Sequence, residues 1–374
     1  MDQLGFVKHT PRKECVVPRA DQFMRFDSGR GISFAEGCHN TIILGSTGSG
    51  KTSSAILPAA AAFLSAGFPG LAIDIKGCFS DQVRLLAEKR GRSGDIVEFG
   101  SGPLAMRVNL LEHMSPLEAH DFFRIIATHE FQGFSRHLDW HLKGVRLAVD
   151  CLEILRYCRE KYPQIRADIV TVERLLNDLP LAGRLSGFFM QHVYDKGNAL
   201  HRRFAERIKS EQFHVLSLND KKLSSSQENT YAEQITWRLT AIRNGLAMFL
   251  EAPGVARNFS APGVGGIDLK RLVYDTNKVV LLRFGIDTGS IGAGLARFMI
   301  ECYYRMTYKY GLTLKEGRYT FMVADEFQEI TDMSPGNRMN DNSFAAKARE
   351  FKTIQLVGTS LLPRCATAAE TTRL

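Results

Sequence analysis

What the sequence lacks narrows its class first. No uninterrupted apolar run approaches the roughly 18 residues that a membrane-crossing helix needs. The best candidate, Ile56 to Ile73, is broken by Pro58, Ser65, Gly67, Pro69 and Gly70. The amino terminus, MDQLGFVKHTPRKE, has no apolar core of the kind a secretory signal carries. Cysteine is sparse at seven residues, an odd number with no C-x-x-C pair, which argues against a disulfide framework and fits reduced thiols in a cytosolic protein. A polybasic arm is missing too. Lys and Arg number 48 against 40 Asp and Glu, and the surplus is spread thinly: 13 against 10 in residues 1–111, 19 against 18 in 112–252, and 16 against 12 in 253–374. Any surface for a polyanion must therefore be assembled in three dimensions. Internal repeats and low-complexity tracts are also absent. With 44% hydrophobic and 24% charged residues, the 374-residue chain is neither disordered nor fibrous, and it is long enough to bury a large core.

What is present alternates. After a mixed opening with an expected hairpin around Gly29 and Gly31, Thr41–Leu44 is a β-branched run that enters a glycine-rich turn. Thr52–Leu64 follows as an Ala-rich helix, with a kink or break expected at Pro58. Gly70–Asp74 and Asp95–Phe99 read as strands, with a helix over Gln82–Lys89 between them. From Pro116 to Leu250 the apolar residues recur at spacings of three and four, as in Val170, Val172, Leu175 and Leu176, which predicts helices only. The first pattern then resumes, with strands over Lys278–Leu282, Tyr319–Ala324 and Thr353–Val357 and helices over Ile291–Tyr308 and Asn342–Glu350. Strands alternating with helices imply a parallel sheet covered on both faces. The expected organisation is an α/β nucleotide-binding domain in two parts, residues 1–111 (including an N-terminal segment, 1–37) and 253–374, interrupted by an all-helical insertion over 112–252.

The turn after the first of these strands fits G-x-x-x-x-G-K-[ST] at every position: Gly45, Ser46, Thr47, Gly48, Ser49, Gly50, Lys51 and Thr52. Glycines let the backbone wrap so that successive N–H groups face inward at phosphates, and the following helix adds the positive end of its dipole. Those eight residues and Ser53 are the expected ATP-binding set. Lys51 would reach the β- and γ-phosphate oxygens, and the Thr52 hydroxyl would ligate Mg²⁺. A second signal is Phe321-Met-Val-Ala-Asp325-Glu326, an apolar strand that ends in two acids. At that place Asp325 would hold Mg²⁺, and Glu326 would polarise an attacking water as general base.

Together these stretches resemble the type IV coupling proteins of conjugation and type IV secretion, in the FtsK–HerA class of RecA-like motor ATPases. The resemblance rests on Ile42–Thr52, on Ala72-Ile-Asp74-Ile-Lys76-Gly77, on Val279–Phe284 with its helix, and on Val323–Gln328. It implies a RecA-like P-loop NTPase with a mostly parallel central sheet and an inserted all-helical domain. It also implies a ring, expected to be hexameric, that uses ATP to move DNA, single- or double-stranded or as a relaxase-type nucleoprotein. A secretion-channel or membrane-anchored partner is implied as well, with the chain itself cytoplasmic. By the same resemblance Asp74 and Lys76 sit on the strand beside the phosphate loop, and Arg349 acts in trans on the neighbour's γ-phosphate. The alternative for Arg349 is a basic side chain favourable at a helix C-terminus. Two departures stand out. The family's Thr-Gln-Ser sensor triplet is replaced by Gly358-Thr359-Ser360, which lies about 14 residues from the last residue of the sequence, and no segment here is expected to serve as the family's transmembrane anchor.

Other constellations are weaker. His137 and His141, four apart near His129 and Asp139, lack a second ligand pair and read as helix-surface residues rather than a zinc site. Lys221–Ser226 is a polar loop, either a linker or a phosphate contact. Tyr303, Tyr304, Tyr308 and Tyr310 read as helix-packing aromatics before base-stacking ones. Besides the motor, two further readings stand. One is a weakly active or truncated nucleotide-binding module that recruits partners. The other is a P-loop enzyme acting on a small acceptor, which the adjacent Asp-Glu pair disfavours.

Overall fold

The computed structural model describes residues 21–360, except residue 27, residues 129–137 and 210–224, residue 253, residues 334–336 and residue 338. The chain opens on an antiparallel hairpin, β1 (Gln22–Arg25) and β2 (Gly31–Ser33), turned by Gly29 at φ +79° as expected. A short helix, α1 (Phe34–Gly37), follows, closed by a capping box between Ser33 and Glu36. The central sheet has six strands: β3 (Thr41–Gly45), β4 (Gly70–Asp74), β5 (Ile96–Gly100), β6 (Val279–Arg283), β7 (Thr320–Ala324) and β8 (Thr353–Ser360). Their order is β3-β8-β7-β4-β6-β5, and every pairing is parallel.

Alternate side chains along each strand enter two cores, as the two-residue period requires. Val279, Leu281, Phe321, Val323, Ile354 and Leu356 face one side, under α2 (Leu57–Ser65), α3 (Phe79–Glu88) and the hairpin. Leu71, Ile73, Val280, Leu282, Met322 and Val357 face the other. A strand buried on both faces reads as a continuous apolar run, and all five residues of β4 and of β7 are buried. At the β3 edge, Ile42 and Leu44 remain exposed.

Between β5 and β6 the chain is helical: α4 (Pro116–Thr128), α5 (Leu138–Lys161), α6 (Ile169–Asn177), α7 (Leu179–Phe188), α8 (Ala199–Lys209) and α9 (Ser225–Glu251). The segment starts on a second capping box, with Ser115 Oγ accepting from the Glu118 N–H and donating to its carboxylate. Asp168 caps α6, accepting from the Thr171 N–H at 2.9 Å. These helices share one continuous core with the second face of the sheet. The contact runs through α11 (Gly289–Tyr310), which follows α10 (Val255–Phe259) and β6; Phe122 of α4 meets Phe298 of α11 edge to face at 5.4 Å. No helix among the described residues is long and apolar enough to cross a membrane.

Two local expectations change. The irregularity at Pro58 is a π turn over Thr52–Ile56 that runs straight into α2, with the Leu57 N–H reaching back to the Thr52 carbonyl. The helix expected over Asn342–Glu350 is only α12 (Asp341–Ala345); beyond it the chain tightens into successive three-residue turns and reaches β8 through Lys352 at φ +51°.

Candidate functional site

The glycine-rich turn lies at the carboxyl end of β3, where open α/β sheets place their ligands. Its glycines answer different needs. Gly48 and Gly50 have φ of +78° and +86°, the left-handed region that side chains disfavour. Gly45 has no room for a Cβ, which would lie 2.6 Å from Ser49 Oγ and 3.2 Å from Lys51 Cγ. Ser46 to Ser49 form an exposed tip, closed by a bond from the Ser49 N–H to the Ser46 carbonyl at 3.1 Å. Lys51 begins the helix and is buried. Its ammonium folds back over the loop and donates to the carbonyls of Gly45 (2.9 Å) and Ser46 (3.1 Å) and to Ser360 Oγ (3.3 Å).

β8 separates β3 from β7 in the sheet, and the acidic pair reaches across it. Thr52 Oγ1 donates to Asp325 Oδ2 at 2.6 Å. Glu326 follows in the left-handed region, φ +55° and ψ +45°, a conformation that costs on the order of 1 kcal/mol and persists only where its surroundings hold it. Here the surroundings do so. Its carboxylate accepts from Lys76 Nζ, Gln328 Nε2 and, at 3.2 Å, Ser360 Oγ. Burial pushes the Glu326 carboxyl up, and these donors, Lys76 foremost, more than offset it, so that it lies below its ordinary range. The bond to Glu326 raises Lys76 in turn. A cleft of about 540 Å³ opens beside the pair, with Thr47, Lys76, Gly285, Ser290 and Glu326 among its walls. The touching hydroxyl and carboxylate of Thr52 and Asp325 are hard oxygen donors of the kind Mg²⁺ takes, so the residues fit that ion.

The sequence-derived candidates separate accordingly. Lys51, Thr52, Asp325 and Glu326 come together within hydrogen-bonding contact of one another or of shared partners. Arg349 does not join them. It is exposed in the turns before β8, at the end of the sheet opposite the loop. Asp74 is also placed differently from the expectation: β4 is separated from β3 by β7 and β8, and buried Asp74 accepts from the backbone N–H groups of Lys76, Gly77 and Ser80, bracing the turn into α3. That turn is what sends Lys76 to Glu326. Gln355 is in the core, donating to Tyr304 Oη at 3.1 Å, away from the site. Tyr303 and Tyr304 are buried packing residues; Tyr304 stacks on Phe344 at 3.7 Å. His141 lies half-buried on α5, whereas His129, His137 and Lys221–Ser224 fall outside the described residues, as does the burial of Asp139. Among the described residues no cluster suits a metal held by His, Cys, Asp and Glu alone. Ser360 and Gln328, both within stretches already singled out in the sequence, are the direct partners of Lys51 and Glu326 whose contacts sequence reasoning did not assign. The available signal was position: Gln328 lies two residues past the Asp325–Glu326 pair, and Ser360 three past the expected strand Thr353–Val357.

This geometry on this sheet defines a P-loop NTPase fold of the α/β class. No protein-family model matches the sequence, and no curated protein matches it significantly. Solved structures do match. The bacterial conjugative coupling protein TrwB in an unbound form is similar with a TM-score of 0.56 and 13% identity, over 93% of this chain and 66% of that one. TrwB in complex with the GTP analogue GDPNP gives 0.58 and 14%, over 91% and 68%, and its complex with the ATP analogue ADPNP gives 0.56 and 13% over the same shares. The chain thus spans about two thirds of the length of these coupling-protein structures. The likeness is one of fold.

Proposed function

We propose that the chain is an ATP-binding and ATP-hydrolysing motor subunit of the coupling-protein type, which translocates or delivers DNA or a nucleoprotein in conjugation or type IV secretion. The observation that carries the reading is the Thr52–Asp325 contact at 2.6 Å, with Lys51 and Glu326 joined through Ser360 beside it. In this reading residues Gly45–Ser53 cradle the phosphates. Lys51 exchanges its loop carbonyls for phosphate oxygens, and Thr52 and Asp325 hold Mg²⁺, which neutralises phosphate charge when bound. Glu326 takes the proton of the attacking water. The structures of TrwB with GTP and ATP analogues support nucleotide as ligand. Arg349, exposed and remote from its own loop, is assigned to the site of a neighbouring subunit in a homo-oligomer, most simply a hexamer. DNA, and a channel or membrane-anchored protein, are the proposed partners.

A second reading, a recruitment module that binds nucleotide with little turnover, is favoured by one feature: the Glu326 carboxylate is already engaged by three donors. Hydrolysis measured with and without single- and double-stranded DNA, together with sedimentation in ATP, separates the two. The motor gives DNA-stimulated turnover and ATP-dependent oligomers. Nucleotide binding with no turnover and no DNA effect would leave the recruitment module.

A further inference from the structure

One side chain near the acidic pair has its two ends on different strands. Gln328 stands two residues beyond Glu326, in the tight turn Phe327–Glu329 after β7. Its amide oxygen accepts from Thr359 Oγ1 at 2.8 Å and from the Ser360 N–H at 3.2 Å, both at the end of β8, and its amide nitrogen donates to Glu326 Oε2. The chemistry fixes which way the amide faces. An ionised carboxylate only accepts and a backbone N–H only donates, so the reverse orientation would set like against like at both ends. Ser360 Oγ donates to the same Glu326 oxygen at 3.2 Å and accepts from Lys51 Nζ at 3.3 Å. The contacts close a ring from Lys51 through Ser360 to Glu326, and from Glu326 through Gln328 back to β8. Glu326 is itself buried, so its carboxylate is held among these donors rather than free in solvent.

We infer that Gln328 is the positioning residue for the hydrolytic step, fixing the Glu326 carboxylate against the end of β8 and coupling it through Ser360 to Lys51. The inference rests on the ATPase reading above and adds to it how the base senses the loop. Phosphate oxygens that draw Lys51 away remove one bond to Ser360, while Gln328 keeps all three of its own. Lys76 holds Glu326 from the solvent side, and with 45% of its side chain exposed it can leave at small cost. Gln355 offers no substitute, because its amide is committed to Tyr304.

The test uses the full chain, with Gln328→Ala and Gln328→Glu beside wild type, Lys51→Ala and Glu326→Gln. Affinity for a fluorescent ATP analogue should stay within about threefold of wild type in Gln328→Ala, while kcat falls about tenfold or more and KM barely moves. The charged groups around Glu326 are Lys76, Asp325 and, through Ser360, Lys51. Gln328→Glu, which sets a second carboxylate against Glu326 in place of the amide donor, should lower kcat at least as far as Gln328→Ala. If wild type turns over, Glu326→Gln abolishes turnover and Gln328→Ala keeps kcat, the inference is overturned and the ATPase reading survives. Loss of affinity in parallel with kcat would mark a merely structural glutamine and overturn it too. A wild type that never hydrolyses ATP overturns the ATPase reading, and this inference with it.

Discussion

Replacing Arg297 by methionine tests how the segment behind the acidic pair is held. The guanidinium projects from α11 with only 8% of the residue exposed. It donates to Asp341 Oδ1 at 2.7 Å and to the Met339 carbonyl at 2.8 Å, and it lies 3.4 Å from Glu301. Asp341 accepts in turn from Tyr304 Oη at 2.8 Å, Thr331 Oγ1 at 2.9 Å and the Asp332 N–H at 2.7 Å. One buried ion pair therefore ties α11, α12 and the chain leaving Glu326 into a unit. Methionine keeps much of the stem volume and removes the charge, leaving Asp341 buried without its cation, while Glu301 keeps Arg124 and Arg305 within 4 Å. Breaking a buried pair from one side costs about 3–5 kcal/mol. Asp341 retains three donors, so the lower end, about 3 kcal/mol, is expected. At about 2.1 cal/mol/K of unfolding entropy per residue, the 374-residue chain should lose about 4 °C in Tm. Scanning calorimetry reads this directly, and adding Asp341→Asn should cost clearly less than the sum of the single changes. A Tm within about 1 °C of wild type, with additive single and double changes, would refute the reasoning.

Other consequences are quicker to check. Gly70→Ala places a Cβ 2.2 Å from the Phe321 carbonyl oxygen across the β4–β7 pairing, so it should destabilise by about 3 kcal/mol or prevent soluble expression, as the denaturation midpoint will show. Lys76→Met should change stability at neutral pH by about 1 kcal/mol or less, because the lysine is half in solvent. The Glu326 carboxyl is lowered in the folded chain, so its contribution is present above the ordinary value of 4.5 and lost as pH falls through the lowered one. The gap in Tm between wild type and Lys76→Met should therefore close on acidification, and a gap that widens would contradict the assignment.

Much of this was legible along the chain because it is local. The apolar runs that became β3, β4 and β6 are short and end in turn residues, and the loop from Gly45 to Thr52 matches a pattern whose fixed positions each have a physical reason. Strand order is not local. Nothing in the spacing of Asp74 places β4 two strands beyond β8, because that order is set by which crossovers cover which face. The bond between Gln328 and Ser360 was hidden for the same reason, since it joins residues 32 apart. The helix expected past Ala345 failed more simply: the aromatic and basic residues from Lys347 to Lys352 have helical spacing, but the chain must turn there to enter β8 beside β7. The helical spacing of residues 116–250 announced helices, yet it did not reveal that their core runs unbroken into the sheet through Phe122 and Phe298.

The most direct measurement is Mg²⁺-dependent ATP hydrolysis by wild type beside Lys51→Ala and Glu326→Gln, with nucleotide affinity measured on all three. The account predicts turnover in wild type, loss of affinity in Lys51→Ala, and retained affinity with kcat reduced about a hundredfold or more in Glu326→Gln. Wild-type turnover that persists in Glu326→Gln, or normal affinity in Lys51→Ala, would contradict it.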